Sequence, residues 1–398
     1  MSRSLITGID IGTHHIKVVI TDSSEMNTKS EYKNQPKVIA TGIAETRGMR
    51  HGYILNVQDV ASSIKEAVSQ AERKAVTKVK KAFISIGGIG LSSITSSSSV
   101  IISRADLEVT SLDIRKVQEQ CEKDIPAAQS LNKKIIHSIP VQYKVDGRVV
   151  LGKPEGMKGS KFEVKTLYIT CLEQHLNDII ESVEQAGISV QDVMASPIAS
   201  SLVTLTKSQK IAGCILVNIG AETVSAAVFE NNIPSSLEVF PIGSTDITND
   251  IALGLKVPLE EAEQIKIGAI TGTSYPRKKL EEIVTARLSD IFELIEAHLK
   301  KIGRNGLLPA GIVLTGGGAS LSGIEEMAKS ALRLPSRVGT LNLGLNEKIA
   351  LKDSVWAVAY GLCVLGMHAD EDLPIDSGTR VLDDIKKTVM AWLRQFLP

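Results

Sequence analysis

The stretch Gly8-Ile9-Asp10-Ile11-Gly12-Thr13 decides the fold, because its pattern returns as Val217-Asn218-Ile219-Gly220 in the second half of the chain. In both stretches apolar residues lead to a polar side chain, Asp10 or Asn218, which is followed two positions later by a glycine. A second apolar run comes after each glycine, over residues 16–20 and 224–229. The pattern predicts two hairpins, each a strand, a tight glycine turn and a second strand. Two such turns that face each other can hold a polyphosphate through their backbone N–H groups.

Length and composition are those of an ordinary globular protein. The 398 residues are enough for two or more domains, and Lys+Arg and Asp+Glu balance at 45 each. The balanced charge provides no basic field, and an aromatic content of 4% provides few rings for base stacking. We therefore expect no nucleic-acid partner.

The cysteines and the apolar runs bear on the compartment in which the protein works. The four cysteines lack the spacing of metal ligands and are expected to be buried thiols in a reducing compartment; they are Cys121, Cys171, Cys214 and Cys363. The first strand begins so close to Met1 that we expect no signal peptide. The longest apolar run, residues 355–367, is too short to cross a bilayer. A cytosolic protein is expected unless another segment brings it to a membrane.

Three segments supply candidate ligands for a nucleotide. In the first hairpin, the Thr13 hydroxyl can bind a phosphate oxygen, and Asp10 can hold a magnesium ion through its waters. Gly316-Gly317-Gly318 follows an apolar strand, where a loop without side chains can lie against a base or a ribose. Glu263 and Lys266 can supply polar contacts to a nucleoside. Plainer interpretations exist for two of these segments. The first hairpin can be an ordinary turn, and the segment with Glu263 and Lys266 can be an exposed helix in which these two residues pair at i,i+3.

Taken in order, these motifs resemble the FtsA family of bacterial actin-like cell-division proteins. The residues that carry the resemblance are Gly8-Ile9-Asp10-Ile11-Gly12-Thr13, Ser196-Pro197-Ile198-Ala199-Ser200, Thr248-Asn249-Asp250-Ile251-Ala252, Glu261-Ala262-Glu263-Gln264-Ile265-Lys266 and Gly316-Gly317-Gly318-Ala319-Ser320-Leu321-Ser322-Gly323-Ile324. The similarity extends over nearly the whole chain. It implies an α/β fold of the actin-like type, in which a ribonuclease H-like unit is duplicated into two lobes, with a small inserted α+β subdomain and a C-terminal amphipathic helix.

The pattern along the chain and this resemblance together predict the domain organisation. The predicted ranges are a first lobe at 1–83 and 165–210 with a closing helix at 345–367, an inserted α+β subdomain at 84–164, a second lobe at 211–344 with an outer subdomain at 257–301, a flexible linker at 368–380 and an amphipathic helix at 381–398.

The resemblance also implies a function. Proteins of this kind bind ATP with Mg²⁺, polymerise like actin and tether FtsZ filaments to the cytoplasmic face of the cell membrane at the division site. The implied partners are the C-terminal tail of FtsZ, further copies of the chain, membrane lipid and other division proteins. The implied nucleotide-binding residues are Asp10, Gly12, Thr13, His14, Asn218, Gly220, Ala221, Glu222, Thr223, Glu263, Lys266, Gly316, Gly317 and Gly318, with Asp10 holding Mg²⁺ through water.

The second hairpin departs from the family pattern. FtsA-like proteins usually have Asp-Ile-Gly-Gly-Gly-Thr there, whereas this chain has Asn218-Ile219-Gly220-Ala221-Glu222-Thr223. Asn218 removes a negative charge that would help to hold magnesium-bound water. Glu222 places a carboxylate where a γ-phosphate is expected, and two like charges about 4 Å apart repel by about 4 kcal/mol at an effective dielectric near 20 unless the side chain turns away. We therefore expect ATP binding with weak or absent hydrolysis, and no catalytic residue is assigned.

Residues 381–397 predict an amphipathic helix that lies in the plane of a membrane. Its apolar face includes aromatic side chains suited to the interface, and a lysine at its edge can extend toward the lipid head groups. The membrane-contacting residues are predicted to be Ile385, Lys386, Val389, Trp392, Leu393 and Phe396. The alternative is a helix that packs on this protein's own core or on a partner, but the acidic linker before it and the family resemblance favour the membrane.

The resemblance places the contact with the FtsZ tail in the outer part of the second lobe, with Arg287 as the basic candidate. The plainer interpretation of that segment is an exposed helix face.

Two other functions share part of the pattern. A kinase of the same superfamily needs a carboxylate base beside an acceptor pocket, for which the sequence offers no motif. A pilus-assembly actin-like scaffold shares the nucleotide motifs, but a terminal amphipathic helix after a linker is not expected of it.

Overall fold

The computed structural model describes residues 4–26, 35–269, 275–341 and 354–370. Within these ranges the strands form three sheets of four or five strands and one short two-stranded ribbon. None of the helices in the same ranges is both long enough and apolar enough to cross a membrane. The last described helix ends at Asp370, inside the predicted linker 368–380. The rest of that linker and the predicted amphipathic helix 381–398 lie outside the described residues.

The first lobe is built on a mixed sheet. In spatial order its strands are β11 (Ser189–Ala195), β6 (Lys81–Ile86), β1 (Leu5–Ile11), β2 (His15–Met26) and β3 (Pro36–Glu45). β1, β2 and β3 pair antiparallel, whereas β6 and β11 are added in parallel. The first predicted hairpin is therefore confirmed as β1 and β2.

Helices cover both faces of this sheet, and two strand glycines allow them to come close. The helices are α1 (Val57–Ala75), α4 (Glu173–Gln185), α5 (Ser196–Thr204) and α11 (Ala357–Asp370). A Cβ atom on Gly42 would overlap the Ala67 carbonyl of α1, and one on Gly8 would overlap the Ala359 carbonyl of α11. The side chain of Asn56 caps α1 by accepting two backbone N–H bonds, which stabilises its start. A short ribbon of β4 (Met49–Arg50) and β5 (Tyr53–Ile54) lies between β3 and α1.

The inserted unit is an antiparallel sheet with a helix on one face. In spatial order its strands are β7 (Ser92–Ile101), β10 (Lys161–Leu172), β8 (Lys133–Val145) and β9 (Arg148–Val150), and its helices are α2 (Ser111–Lys123) and the short α3 (Ala127–Ser130). β10 pairs with β7 over residues 161–170 and with β8 over residues 162–172. The predicted boundary at residue 164 falls inside this strand, so the inserted sheet extends beyond it to Leu172.

The second lobe repeats the scheme of the first. In spatial order its strands are β14 (Ile233–Phe240), β13 (Val224–Glu230), β12 (Cys214–Ile219), β15 (Ile312–Thr315) and β16 (Ser336–Val338). Its helices are α6 (Lys207–Ala212), α7 (Ser244–Leu255), α8 (Leu259–Lys266), α9 (Arg277–Lys301) and α10 (Ile324–Leu332). The second predicted hairpin is confirmed as β12 and β13.

One apolar core joins the lobes and the base of the insert. It contains Ile9 of the first lobe, Ile169 of the insert and Phe229 of the second lobe, all fully buried. The opposite face of the second sheet packs on α7, α9 and α10 in a separate core. Between the insert and the second lobe, Ser93 Oγ accepts the Leu237 N–H at 2.8 Å and donates to the Leu237 carbonyl at 2.9 Å. This arrangement fixes the walls of the cleft between the lobes.

Candidate nucleotide site

A cavity of about 900 Å³ lies between the two lobes. Its walls are formed by the turns of both hairpins, the starts of α7 and α8 and the loop after β15. All but one of the predicted nucleotide-binding residues line this cavity. Those that do are Asp10, Gly12, Thr13, His14, Asn218, Gly220, Ala221, Thr223, Glu263, Lys266, Gly316, Gly317 and Gly318. Residues from four separate segments of the chain therefore line one cavity.

The two hairpin turns have matching geometry. Gly12 and Gly220 follow the last residues of β1 and β12, and Thr13 and Ala221 come next. An alanine Cβ at either glycine would lie 2.9 Å from the carbonyl oxygen three residues on, so both positions require glycine. Both turns bring little side-chain bulk to the cavity, a setting that suits phosphate oxygens. The N–H of Gly220 itself donates within the turn, to the Thr223 carbonyl at 2.9 Å. Thr13 adds a hydroxyl to the first turn, whereas the equivalent residue of the second turn is Ala221.

Asp10 lies two residues before Gly12 in the first hairpin and is almost fully buried, at 8% exposure. Its Oδ1 accepts a hydrogen bond of 3.0 Å from Ser85 Oγ, and its Oδ2 lies 3.4 Å from Lys17 Nζ. Ser85 Oγ also accepts the Ile11 N–H at 3.1 Å, so a chain of hydrogen bonds orients the carboxylate. Ser85 and Lys17 were not identified from the sequence. The hairpin pattern could have indicated Lys17, because the register of β1 and β2 pairs it directly with Asp10.

These residues fit a magnesium ion that arrives with a phosphate ligand. In the described part of the chain, no group of three or more His, Cys, Asp or Glu side chains could hold a metal by itself. Mg²⁺ usually retains several waters and needs only one or two carboxylates when phosphates supply the other oxygens. Asp10 satisfies that requirement, while Asn218, at the equivalent position of the second hairpin, offers only a neutral amide.

Two adjacent histidines follow the first turn. The Nδ1 atoms of His14 and His15 lie 3.1 Å apart. Burial, together with the nearby His14 and Lys17, lowers the pKa of His15 to about 4. His15 is therefore neutral at neutral pH, so this wall of the cavity gains no cation from it, and Lys17 is the charged group beside Asp10.

The Lys266 ammonium connects α8 to α7 at the far wall. Its Nζ lies 2.6 Å from Glu263 Oε2 and donates to the Ser244 carbonyl at 3.1 Å and to Thr248 Oγ1 at 2.8 Å. The i,i+3 pair expected from the plainer interpretation is present, and both residues also line the cavity. Burial raises the pKa of Glu263, but hydrogen bonds with Lys266 and Thr248 outweigh it, so the pKa lies below its ordinary value. Ser244 and Thr248 were not assigned to the site from the sequence.

The glycine loop is shaped by its contact with the second hairpin. Gly316 has φ 85° and ψ 176°, a conformation that only glycine adopts readily. A Cβ there would overlap Asn218 Oδ1 and lie 2.5 Å from the Ile219 carbonyl oxygen. A Cβ on Gly318 would overlap the Ile219 side chain. The loop therefore lies directly against β12 and leaves the cavity side open.

Glu222 is the predicted residue that does not line the cavity. Its carboxylate lies outside the cavity lining, where Oε2 accepts the backbone N–H of His51 in the β4–β5 turn. The backbone carbonyl of Glu222 lies 3.5 Å from His51 Nδ1. The arrangement is the alternative that the sequence left open, in which the Glu222 side chain turns aside, because a donor in the other lobe holds it. A contact between Glu222 and a nucleotide stays a prediction.

Arg287 lies on α9, away from the cavity. Its guanidinium makes a bidentate pair with Asp250 of α7, with Nε to Oδ2 at 2.7 Å and Nη2 to Oδ1 at 3.0 Å. Nη1 also donates to Asp290 at 3.2 Å. The hydrogen bonds that Arg287 donates to Asp250 raise the pKa of the guanidinium above its usual value. Arg287 thus joins α7 to α9, and its contact with a partner stays a prediction.

Comparisons with known proteins agree with the geometry. The family model described as cell division protein FtsA matches residues 215–361, and the model described as the SHS2 domain inserted in FtsA matches residues 88–170. The two ranges together cover more than half of the chain. A cell division protein FtsA of Pseudomonas aeruginosa is 28% identical, in an alignment that covers 100% of this chain and 98% of that protein.

Solved structures share the fold. A structure of the PilM-PilN type IV pilus biogenesis complex matches with a TM-score of 0.66 and 18% identity, covering 92% of this chain and 99% of the other. MreB 5 of Spiroplasma citri bound to AMPPNP matches with a TM-score of 0.51 and 12% identity, covering 94% of this chain and 98% of the other. At these identities the likeness shows the actin-like fold alone. On the family models and the full-length relative, the chain belongs to the FtsA family of cell division proteins.

Proposed function

We propose that this protein binds ATP with Mg²⁺ in the interlobe cavity, polymerises like actin and tethers FtsZ filaments to the cytoplasmic face of the membrane at the division site. The observation that carries the nucleotide part is the convergence of two matching glycine turns on one cavity of about 900 Å³. Membership of the FtsA family supports the role in division. The AMPPNP complex of MreB 5 supports an adenine nucleotide as the ligand.

Each wall of the cavity has a part in holding the nucleotide. The turns at Gly12 and Gly220 offer backbone N–H groups to the phosphates, and Lys17 adds a cation beside them. Lys266 supplies a second cation toward the nucleoside, while the Gly316–Gly318 loop leaves room for the base or ribose. Mg²⁺ would neutralise phosphate charge, with Asp10 oriented by Ser85 to bind its waters.

Slow turnover is part of this proposal. Hydrolysis needs a group that orients or deprotonates the attacking water near the terminal phosphate. Asn218 has no negative charge, Glu222 is held by His51, and Glu263 is engaged by Lys266 and Thr248. We therefore infer that nucleotide binding mainly sets the arrangement of the lobes and the assembly state.

Membrane attachment depends on residues 381–398, which the sequence alone supports. A single amphipathic helix binds a bilayer weakly and reversibly. A filament presents many such helices at once, so polymerisation raises the total affinity by avidity. ATP-dependent assembly would in this way control attachment, and FtsZ would be recruited to the second lobe, with Arg287 as the candidate contact.

Co-sedimentation with vesicles tests the tether. We expect the full chain with ATP and Mg²⁺ to sediment with vesicles that contain anionic lipid, and a chain truncated after Ser377 to remain in the supernatant. Leu393→Glu, on the predicted apolar face, should abolish sedimentation, whereas the matched change Gln395→Glu on the opposite face should have little effect. Equal sedimentation of the full and truncated chains would rule out the helix as the anchor.

A further inference from the structure

Glu222 forms a contact between the lobes that the nucleotide site does not require. It follows Ala221 at the tip of the second turn, at the place that His14 occupies in the first turn. Ala221, Thr223 and His14 all line the cavity. The Glu222 carboxylate instead accepts the backbone N–H of His51, and His51 Nδ1 lies 4.0 Å from the same carboxylate oxygen.

The first-lobe side of this contact is held in place by backbone packing. His51 sits in the turn of the β4–β5 ribbon with φ 49°, and Gly52 follows with φ 80°. A Cβ on Gly52 would overlap the Cα of Gly88, so the two glycines meet backbone to backbone. Both glycines line the cavity. The position of the His51 N–H therefore follows the position of this wall of the first lobe.

We infer that Glu222 and the turn at residues 50–53 form a latch through which the arrangement of the lobes selects ATP over ADP. This inference rests on the proposed nucleotide function. When the lobes lie as described, His51 holds the carboxylate away from the phosphates. When the turn and the hairpin separate, the carboxylate loses its donor and can return to the tip of the hairpin, where it repels a γ-phosphate. ADP lacks that phosphate and is repelled less.

The size of the repulsion makes the effect measurable. Like charges about 4 Å apart at an effective dielectric of about 20 weaken binding by well over tenfold. Solvent screens part of this repulsion, because 26% of the Glu222 side chain is accessible. The latched arrangement binds ATP more tightly than the separated arrangement does. By linkage, bound ATP shifts the equilibrium between the two arrangements toward the latched one by the same factor. The latch thus couples the terminal phosphate to lobe closure.

The test compares affinities for ATP and ADP in the full chain, measured by displacement of a fluorescent ADP analogue with Mg²⁺ present. Gly52→Ala displaces the turn and should lower the affinity for ATP relative to ADP by about tenfold. Adding Glu222→Gln, which removes the charge, should restore the ratio. Gly187→Ala is the matched control: Gly187 also has a positive φ, 85°, but a Cβ there would have no atom within 4 Å, and the residue lies outside the cavity lining.

Two outcomes overturn the latch and leave nucleotide binding intact: an equal loss of ATP and ADP affinity in Gly52→Ala, or no restoration by Glu222→Gln. If Gly52→Ala does not fold, His51→Ala takes its place. It keeps the backbone N–H but removes the ring that lies 4.0 Å from the carboxylate and places an alanine at φ 49°, so we expect a smaller fall in the ratio, which Glu222→Gln should again cancel. Failure of the unaltered chain to bind either nucleotide would instead contradict the proposed function, and the latch with it.

Discussion

Gly316→Ala is expected to destabilise the second lobe at the cleft and to weaken nucleotide binding. The backbone at Gly316, with φ 85° and ψ 176°, costs a residue with a side chain about 1–3 kcal/mol. The added Cβ would also lie 2.5 Å from the Ile219 carbonyl oxygen, which cannot move easily because Ile219 itself is fully buried. Overpacking of this kind costs about 1–3 kcal/mol. The sum is about 2–6 kcal/mol if nothing relaxes.

Urea unfolding followed by circular dichroism measures the first effect, and nucleotide displacement measures the second. The Gly316–Gly318 loop can relieve part of the overlap by moving away from β12. Because the loop lines the cavity, that movement should lower the nucleotide affinity by at least about tenfold. Gly317→Ala is the control for stability, because a Cβ on Gly317 has no atom within 4 Å. If Gly316→Ala unfolds at the same urea concentration as the unaltered chain and binds nucleotide equally well, the contact between the glycine loop and β12 does not shape the site.

Three further changes have defined outcomes. Lys266→Met should lower the free energy of unfolding by about 1–3 kcal/mol in urea titrations, because the buried Thr248 hydroxyl and the Ser244 carbonyl lose their donor. Loss of the ion pair with Glu263 adds little, because that side chain is 43% exposed and solvent screens it. Ser93→Ala should cost about 1–3 kcal/mol by the same measurement, because the buried Leu237 N–H loses its acceptor. Partial burial raises the pKa of Asp113, but its hydrogen bonds lower it to about 2, below the ordinary 3.8. The stability it contributes is therefore fully present above pH 3.8 and lost as the pH falls toward 2, and Asp113→Asn should remove that dependence from thermal midpoints measured over this range.

Much of the fold is encoded in local pattern. The hairpins around Gly12 and Gly220 follow from apolar runs that flank a glycine. The duplication of the hairpin pattern was enough to predict that the two turns face one ligand. The cavity brings together Asp10, Asn218 and the Gly316–Gly318 loop, as that duplication implies.

The parts that the sequence did not predict depend on contacts between distant residues. Ser85 orients Asp10 from β6, and His51 holds Glu222 from a turn in the other lobe. Such contacts depend on the packing of whole lobes, which no local period encodes. The extension of the insert sheet past residue 164 has a similar cause, because β10 pairs with strands that are far away in sequence.

The partner prediction for Arg287 illustrates the same limit. A basic residue on an exposed helix resembles a partner contact when only the sequence is considered. In the structure its guanidinium is bidentate to Asp250, so an acidic peptide would have to compete with an internal carboxylate. The comparison of Arg287→Gln with Asp250→Asn in tail-binding assays separates the two roles, because the second change frees the arginine instead of removing it.

A crystal structure of the full chain with a non-hydrolysable ATP analogue and Mg²⁺ tests the nucleotide proposal most directly. We expect the phosphates between the Gly12–Thr13 and Gly220–Ala221 turns, the metal waters beside Asp10, the nucleoside against Gly316–Gly318, and Glu222 on His51. A polyphosphate bound elsewhere, or a cavity that remains empty at saturating nucleotide, would contradict the assignment of this cleft.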